Sequence, residues 1–269
     1  MTAREVLARA GLVAGTGERL EGGDISTVER FGPWVVKTRA GAPDGLFASE
    51  ARGLQTLAAA GCRVPGVRHV DAEGLVLEWL EPGPPDWPGL ADQLARLHTG
   101  RVEGYGLEHP VFIGPIGLPA RTGPMAEVWW EARLAPVMAQ CSGLGGLRGR
   151  LERLVHAARP PLEGPVWVHG DLWSGNVHMS RAGAALIDPS CWRGERSVDL
   201  AMMTLFGGFP PAFWSAYRAV APVPPDVEAW LPFWRVYFLL VHVALFGSGY
   251  LPGVEREVDA ITRLCGRPA

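Results

Sequence analysis

Lysine is almost missing from this chain. Its 25 basic residues are 24 arginines and one lysine, Lys37. A genome that favours arginine codons accounts for the shortage, but not for the place of the survivor. An ammonium is a compact point charge and a guanidinium a planar fork. Lys37 is therefore a candidate for a role arginine cannot fill. Paired cysteines are missing as well: Cys62, Cys141, Cys191 and Cys265 form no Cys-x-x-Cys and suggest no disulfide framework. There is no basic excess. The formal net charge of −3 gives no electrostatic case for nucleic acid or an anionic membrane. The opening MTAREVLARAGL carries Arg4, Glu5 and Arg9 in an amphipathic pattern and does not read as a secretory signal. The most apolar run, 236–247, is too short to span a bilayer and follows Arg235. These absences lead us to expect a soluble, cytoplasmic protein with no nucleic-acid or membrane partner. Oligomeric state is not legible.

What is present is ordinary globular composition, 48% hydrophobic and 20% charged, over 269 residues. That length suffices for one large domain or two modest lobes. Residues 2–10 read as a short helix capped by Thr2. Gly22-Gly23 marks a turn between β-like segments, and 34–37 reads as a strand. A helix is expected over 46–60, with Phe47, Leu54, Leu57 and Ala58 on one face and Gly61 closing it. Strands follow at 67–70 and 75–79. The expectation is a small β-rich lobe over 1–80. The breaker cluster Glu81-Pro82-Gly83-Pro84-Pro85 suggests a hinge at about 78–85. The rest, 81–269, turns mostly helical. Helices are expected around Leu90, Leu94 and Leu97, over 126–138 and 147–158, and from 196 onward. Short strands are expected near 166–168, 177–179 and 184–187. Trp234, Tyr237, Phe238, Val241 and Leu245 form a stripe suited to a buried helix face rather than a cofactor box.

The chemistry is concentrated in VHGDLWSGNV, residues 168–177. Asp171 is followed by four residues and then Asn176, and a second acid, Asp188, ends the apolar run Leu186-Ile187. This is the layout of kinase-type phosphoryl transfer: a base for the acceptor hydroxyl, then Asn and a second acid on the metal. Mg²⁺ takes one or two carboxylates plus phosphate oxygens, so two protein ligands are enough. Upstream, Gly22-Gly23 can let backbone approach phosphates, Lys37 can neutralise them, and Glu50, 13 residues further on, can pair with Lys37. Each alone is weak evidence; the ordered series is specific.

The chain resembles the fructosamine kinase, or ketosamine-3-kinase, family within the aminoglycoside-phosphotransferase-like kinases. The resemblance is carried by GGDIS (22–26), the Lys37 strand, FASEARGLQTL (47–57), VHGDLWSGNV (168–177), LIDPSCWRGERSVDLAMMTLFGGFP (186–210) and the C-terminal aromatic helix. It implies an α+β, two-lobed, protein-kinase-like fold and ATP-dependent phosphorylation of a ketosamine hydroxyl, O3, in deglycation. It implies ATP and Mg²⁺ as cofactors, Asp171 as base, and Asn176 and Asp188 as metal ligands. Lys37 held by Glu50 would bind the phosphates under the Gly22-Gly23 loop. Glu78, Trp79 and Leu80 would offer backbone groups to adenine, and Trp173 would wall the sugar, with Trp192 or Trp214 as further candidates. Asp199 and His169 would support the loop. Where some family members carry a redox-sensitive cysteine in the phosphate loop, Asp24 stands here, so no redox control is expected there.

Other readings stay open: a phosphotransferase for another small alcohol, such as an aminoglycoside, or a nucleotide-binding pseudokinase. A metallophosphoesterase fits poorly, because the remaining histidines supply no Asp-x-His start and no later Gly-His pair.

Overall fold

The structure, a computed structural model, describes residues 2–13, 15–20 and 26–266. Gly22, Gly23 and Asp24 therefore lie outside the described residues.

The N-terminal region is built from α1 (Ala3–Arg9), β1 (Glu18–Arg19), β2 (Thr27–Phe31), β3 (Trp34–Thr38), α2 (Leu46–Ala59), β4 (Val67–Val70) and β5 (Gly74–Glu78). The strands form one antiparallel sheet in the order β1-β2-β3-β5-β4. Thr2 caps α1 in a reciprocal box with Glu5. Side-chain alternation along the strands sorts the sheet into two faces. Val36 and Val76 pair across β3 and β5 and join Val6, Leu7 and Phe31 under α1. Leu75 and Leu77 lie on the other face with Phe47, Ala51 and Leu54 of α2. Each of these buried valine, leucine and phenylalanine side chains is worth about 1.5–3 kcal/mol. Lys37 pairs with Leu75 across the ladder and so shares the α2 face. On α2 itself, Ala58 is exposed, unlike Phe47, Leu54 and Leu57.

The larger C-terminal region follows: α3 (Trp87–Thr99), β6 (Tyr105–Leu107), β7 (Val111–Ile113), β8 (Ile116–Leu118), β9 (Arg121–Gly123), α4 (Met125–Trp129), α5 (Ala135–Gln140), α6 (Gly146–Ala157), β10 (Val166–Val168), β11 (Val177–Ser180), β12 (Gly183–Leu186), β13 (Trp192–Gly194), α7 (Ser197–Leu205), α8 (Pro211–Val220), α9 (Pro225–Ala229), α10 (Leu231–Phe246) and α11 (Leu251–Cys265). Strands β10-β13-β6-β9 form a small sheet, and β11–β12 and β7–β8 are hairpins. The architecture is α+β, a sheet-based N-terminal region followed by a mainly helical one.

Three features depart from the sequence expectation. Strands β6 to β9 and β13 occupy stretches with no strand assigned. The expected helix at 126–138 is interrupted by a π-helical turn, Trp130–Leu134. Pro136 has no N–H to return to the Ala132 carbonyl, which instead accepts from the Arg133 guanidinium at 2.8 Å. The apolar segment near the C-terminus is also longer than expected. Pro225–Phe246 is long and apolar enough to cross a membrane by length and composition. Here α10 packs against α11, α7 and α5, with Trp234, Tyr237, Phe238 and Val241 buried and Leu245 half-buried.

The breaker cluster is fastened down rather than free. The Gly83 N–H donates to Met179 and the Arg181 N–H to Glu81, and Pro82 bridges to Ser180. A Cβ on Gly83 would lie 2.4 Å from the Ser180–Arg181 backbone. The chain leaving the N-terminal sheet is thus stitched to the β11–β12 hairpin.

Candidate active site

Strand β10 delivers the loop 169–176, and the loop is shaped by contacts that only its own residues permit. Gly170 has φ +80, and a Cβ there would lie 2.1 Å from the Ser190 carbonyl oxygen. The Asp199 carboxylate accepts from the backbone N–H groups of His169 (2.7 Å) and Gly170 (2.8 Å). His169 joins the loop to the end of β12: its Nε2 lies 2.9 Å from the Ile187 carbonyl, while the Asp171 N–H donates to Nδ1 at 3.3 Å. Burial lowers the His169 pKa against the opposing pull of Asp199. The ring is therefore neutral and serves as a brace.

Asn176 closes the loop as a 3-10 turn over Ser174–Asn176. Its side-chain amide donates to the Asp171 carbonyl at 2.8 Å and more weakly to the Asp171 carboxylate at 3.4 Å. The Ile187 N–H donates to the Asn176 carbonyl. That bond brings Asp188 alongside, in the left-handed region at φ 56, the one described residue other than glycine with positive φ. Such strain is retained where the surroundings over-determine it, and it concentrates at functional sites.

The N-terminal region supplies the cation. Lys37 Nζ bonds Glu50 at 2.6 Å and also bonds the Asp188 carboxylate directly. Helix α2 can bring Glu50 this near because Gly53 packs on Pro189, with 3.0 Å left to where a Cβ would stand. Burial opposes the Lys37 charge, but Asp188 and Glu50 outweigh it and hold its pKa above the ordinary lysine value. Asp171 behaves oppositely. Burial, with the repulsion of Asp188 and Asp199 added, pushes its pKa up to about 7, and the weak Asn176 bond does not offset this. A carboxyl titrating there can take a proton near neutral pH.

Lys37, Glu50, Asp171, Trp173, Asn176 and Asp188 line one cleft of about 570 Å³. Trp173 is 42% exposed, and its indole lies over Gly175, where a Cβ would be 2.2 Å from the ring. Asp188 and Asn176 offer a carboxylate and a carboxamide, hard oxygen donors that suit Mg²⁺ shared with phosphates. Among the described residues no three His, Cys, Asp or Glu gather into a protein-only metal cage.

Other expected residues lie elsewhere. Glu78 and Trp79 line a separate groove with Pro33, Trp34 and Arg68. Their N–H groups already donate to Gly66 and Pro33, and the Leu80 carbonyl lies 2.8 Å from His178 Nε2. Of these three amides, only the Leu80 N–H is without a protein acceptor among the described residues. Trp192 is 1% exposed and packs against Trp129 and Arg133, so it offers no face to a sugar. Trp214 packs with Phe209 and Phe213, away from the cleft lining.

Sequence reasoning missed the group that holds Asp199. His98 Nε2 lies 3.1 Å from Asp199, and His98 Nδ1 lies 2.9 Å from the Tyr217 hydroxyl. Arg196 reaches Tyr217 and pairs in bidentate fashion with Glu163 at 2.6 and 2.7 Å. The Glu195 carboxylate accepts from the Glu163 and Gly164 amides and from the Tyr105 hydroxyl.

A β-sheet region and a helical region, with an Asp-x₄-Asn loop, a strained Asp and a Lys–Glu pair on one cleft, define a kinase-like phosphotransferase. Known proteins agree. The fructosamine kinase family pattern matches residues 10–263, so the chain belongs to that family. It is 52% identical over 259 residues to a protein of Thermus thermophilus described as a probable ketoamine kinase, covering 95% of this chain and 98% of that one. A Thermobifida fusca crystal structure assigned as a fructosamine-3-kinase superposes with a TM-score of 0.86 at 31% identity, covering 97% and 98% of the two chains. The choline kinase LicA of Streptococcus pneumoniae shares the fold at 17% identity, with a TM-score of 0.65 and 97% of each chain covered.

Proposed function

We propose that this protein transfers the γ-phosphoryl group of ATP to O3 of a ketosamine, a sugar-derived ketone carrying an amine at C1. The observation that carries the reading is the convergence of Lys37–Glu50, Asp171, Asn176 and Asp188 on one cleft beside the exposed Trp173. Asp171 takes the proton of the attacking hydroxyl as the new O–P bond forms and the bond from phosphorus to the leaving ADP oxygen breaks. Its pKa of about 7 is matched to that transfer. Lys37, held by Glu50, offsets the charge of the nucleotide phosphates. Asn176 and Asp188 are the residues to hold Mg²⁺, which when bound neutralises charge on the phosphate oxygens. Residues 1–80 form the nucleotide-side lobe and 81–269 the acceptor-side lobe in this reading. The Leu80 N–H is the backbone donor left for adenine.

Phosphorylation at O3 weakens the sugar–amine adduct, which places the enzyme in deglycation. The four free cysteines suit a reducing cytoplasm. The test is a panel of fructosyl-, ribulosyl- and erythrulosyl-amines, free and protein-bound, assayed with Mg-ATP, the phosphate being located by NMR. Transfer to O3 is expected. Transfer to an aminoglycoside with none to any ketosamine would favour the alternative alcohol kinase.

A further inference from the structure

The cleft has two chemically different ends. One holds Lys37, Glu50, Asp171 and Asp188; the other is walled by Phe206, His242, Phe246 and Tyr250. The two ends are tied together by the packing of Gly208 on Ser174. A Cβ on Gly208 would lie 2.2 Å from the Ser174 hydroxyl, so the turn after α7 sits directly on the loop 169–176.

His242 is the centre of the aromatic end. Its ring centroid lies 4.7 Å from that of Phe206, 5.0 Å from Tyr250 and 5.5 Å from Phe246. Nδ1 lies 2.7 Å from the Phe238 carbonyl one helical turn back, so the ring donates from Nδ1 and keeps its lone pair on Nε2. Burial holds the His242 pKa below its ordinary value, which favours this neutral form. Nε2 has no partner among the described residues. The rings around it are also unusually open. Among the described residues six large hydrophobic side chains are exposed; two of them, Phe206 and Phe246, are neighbours of the His242 ring, and a third, Trp173, lines the same cleft. Among the described residues no lysine or arginine lines this end.

We infer that the aromatic end is an ammonium subsite, which takes the protonated C1 amine of a ketosamine against the faces of Phe206, Phe246 and Tyr250 and accepts one of its N–H groups at His242 Nε2. Aromatic faces attract a cation through the ring quadrupole. A neutral imidazole lone pair accepts from the same cation. A ketosamine differs from its parent ketose at this nitrogen. The subsite is thus the device that separates the two, and it rests on the ketosamine reading above.

The test compares an N-alkyl 1-amino-1-deoxyketose with the neutral 1-O-alkyl ether of the same ketose, both with Mg-ATP. The wild-type protein should favour the amine in kcat/KM by about tenfold or more. Phe246→Leu and His242→Leu keep apolar bulk but remove a face and the acceptor, and should each draw that ratio toward one. Phe246 is 51% exposed, so its replacement leaves the fold intact, which a melting curve checks. His242→Gln retains an acceptor and should keep part of the preference. Equal use of amine and ether by the wild type overturns the inference and leaves the kinase reading standing. So does an equal loss on both compounds in both leucine variants, the mark of a merely apolar wall. Phosphorylation of neither compound, with another alcohol still accepted, removes the ketosamine reading and this subsite together.

Discussion

Two clusters of charge adjoin the loop 169–176, and each turns on an aspartate put to an opposite end. In one, Asp199 is satisfied by two backbone amides and His98, and the chain of partners continues through Tyr217 to Arg196 and Glu163. In the other, Asp171 has one weak amide contact and a second carboxylate, Asp188, nearby, and it retains its proton up to about pH 7. A carboxylate with its hydrogen bonds complete holds the backbone in place. One left short of partners is reactive, because its proton is free to exchange with a substrate. The closed cluster gives the loop its shape so that the open one can be kept in an unfavourable arrangement.

Breaking the closed cluster should have the largest effect on the fold. Asp199→Ala strips the acceptor from two buried amides and from His98. A loss of about 3–5 kcal/mol is expected, read by chemical denaturation. Turnover should fall with it, because the loop loses its anchor. In the open cluster, Lys37→Arg replaces a point charge held between two carboxylates with a longer fork. Turnover should fall by up to about a hundredfold with little change in melting temperature.

Asp171→Asn should sharpen the contrast by stabilising the protein. An unfolded aspartate titrates near about 3.9, whereas folded Asp171 titrates at about 7. A raised folded pKa means the stability from this group is full below pH ~4 and is lost as the pH climbs through 7. The asparagine variant avoids that loss. It should be more stable than wild type by roughly 1–3 kcal/mol at pH 8, since Asp171 is only half-buried, and the gain should shrink as the pH falls toward 5. The smallest effect belongs to charges with neither burial nor crowding. Arg150 and Asp259 pair at 2.6 Å on the surface, and Asp259→Ala should cost below about 0.5 kcal/mol.

The open cluster was far more legible in the sequence than the closed one. Asp171 and Asn176 are five positions apart, and a turn that joins them leaves a local mark. Lys37 stood out as the lone lysine. His98, Tyr217, Arg196 and Glu163 are common residue types, and His98 and Tyr217 lie 119 positions apart. Their shared carboxylate network exists only once α3 packs on α8. The fold shows the same division. Helices with a clear apolar face were legible, as was the β3–α2 unit. Strands β6 to β9 and β13 have three residues each, four of the five containing glycine, too short for alternation to register. The π-helical turn escaped notice because its apolar spacing passes for an ordinary helix until Pro136 is weighed.

The central claim is that Asp171 is the base of a phosphoryl transfer. The most direct test is the rate of phosphate transfer from ATP to a ketosamine by Asp171→Asn at pH 8, with nucleotide affinity measured on the same preparation. The account predicts a fall of about 10² to 10⁴ in rate with nucleotide affinity retained. Transfer within about threefold of wild type, below any general-base contribution, would contradict it.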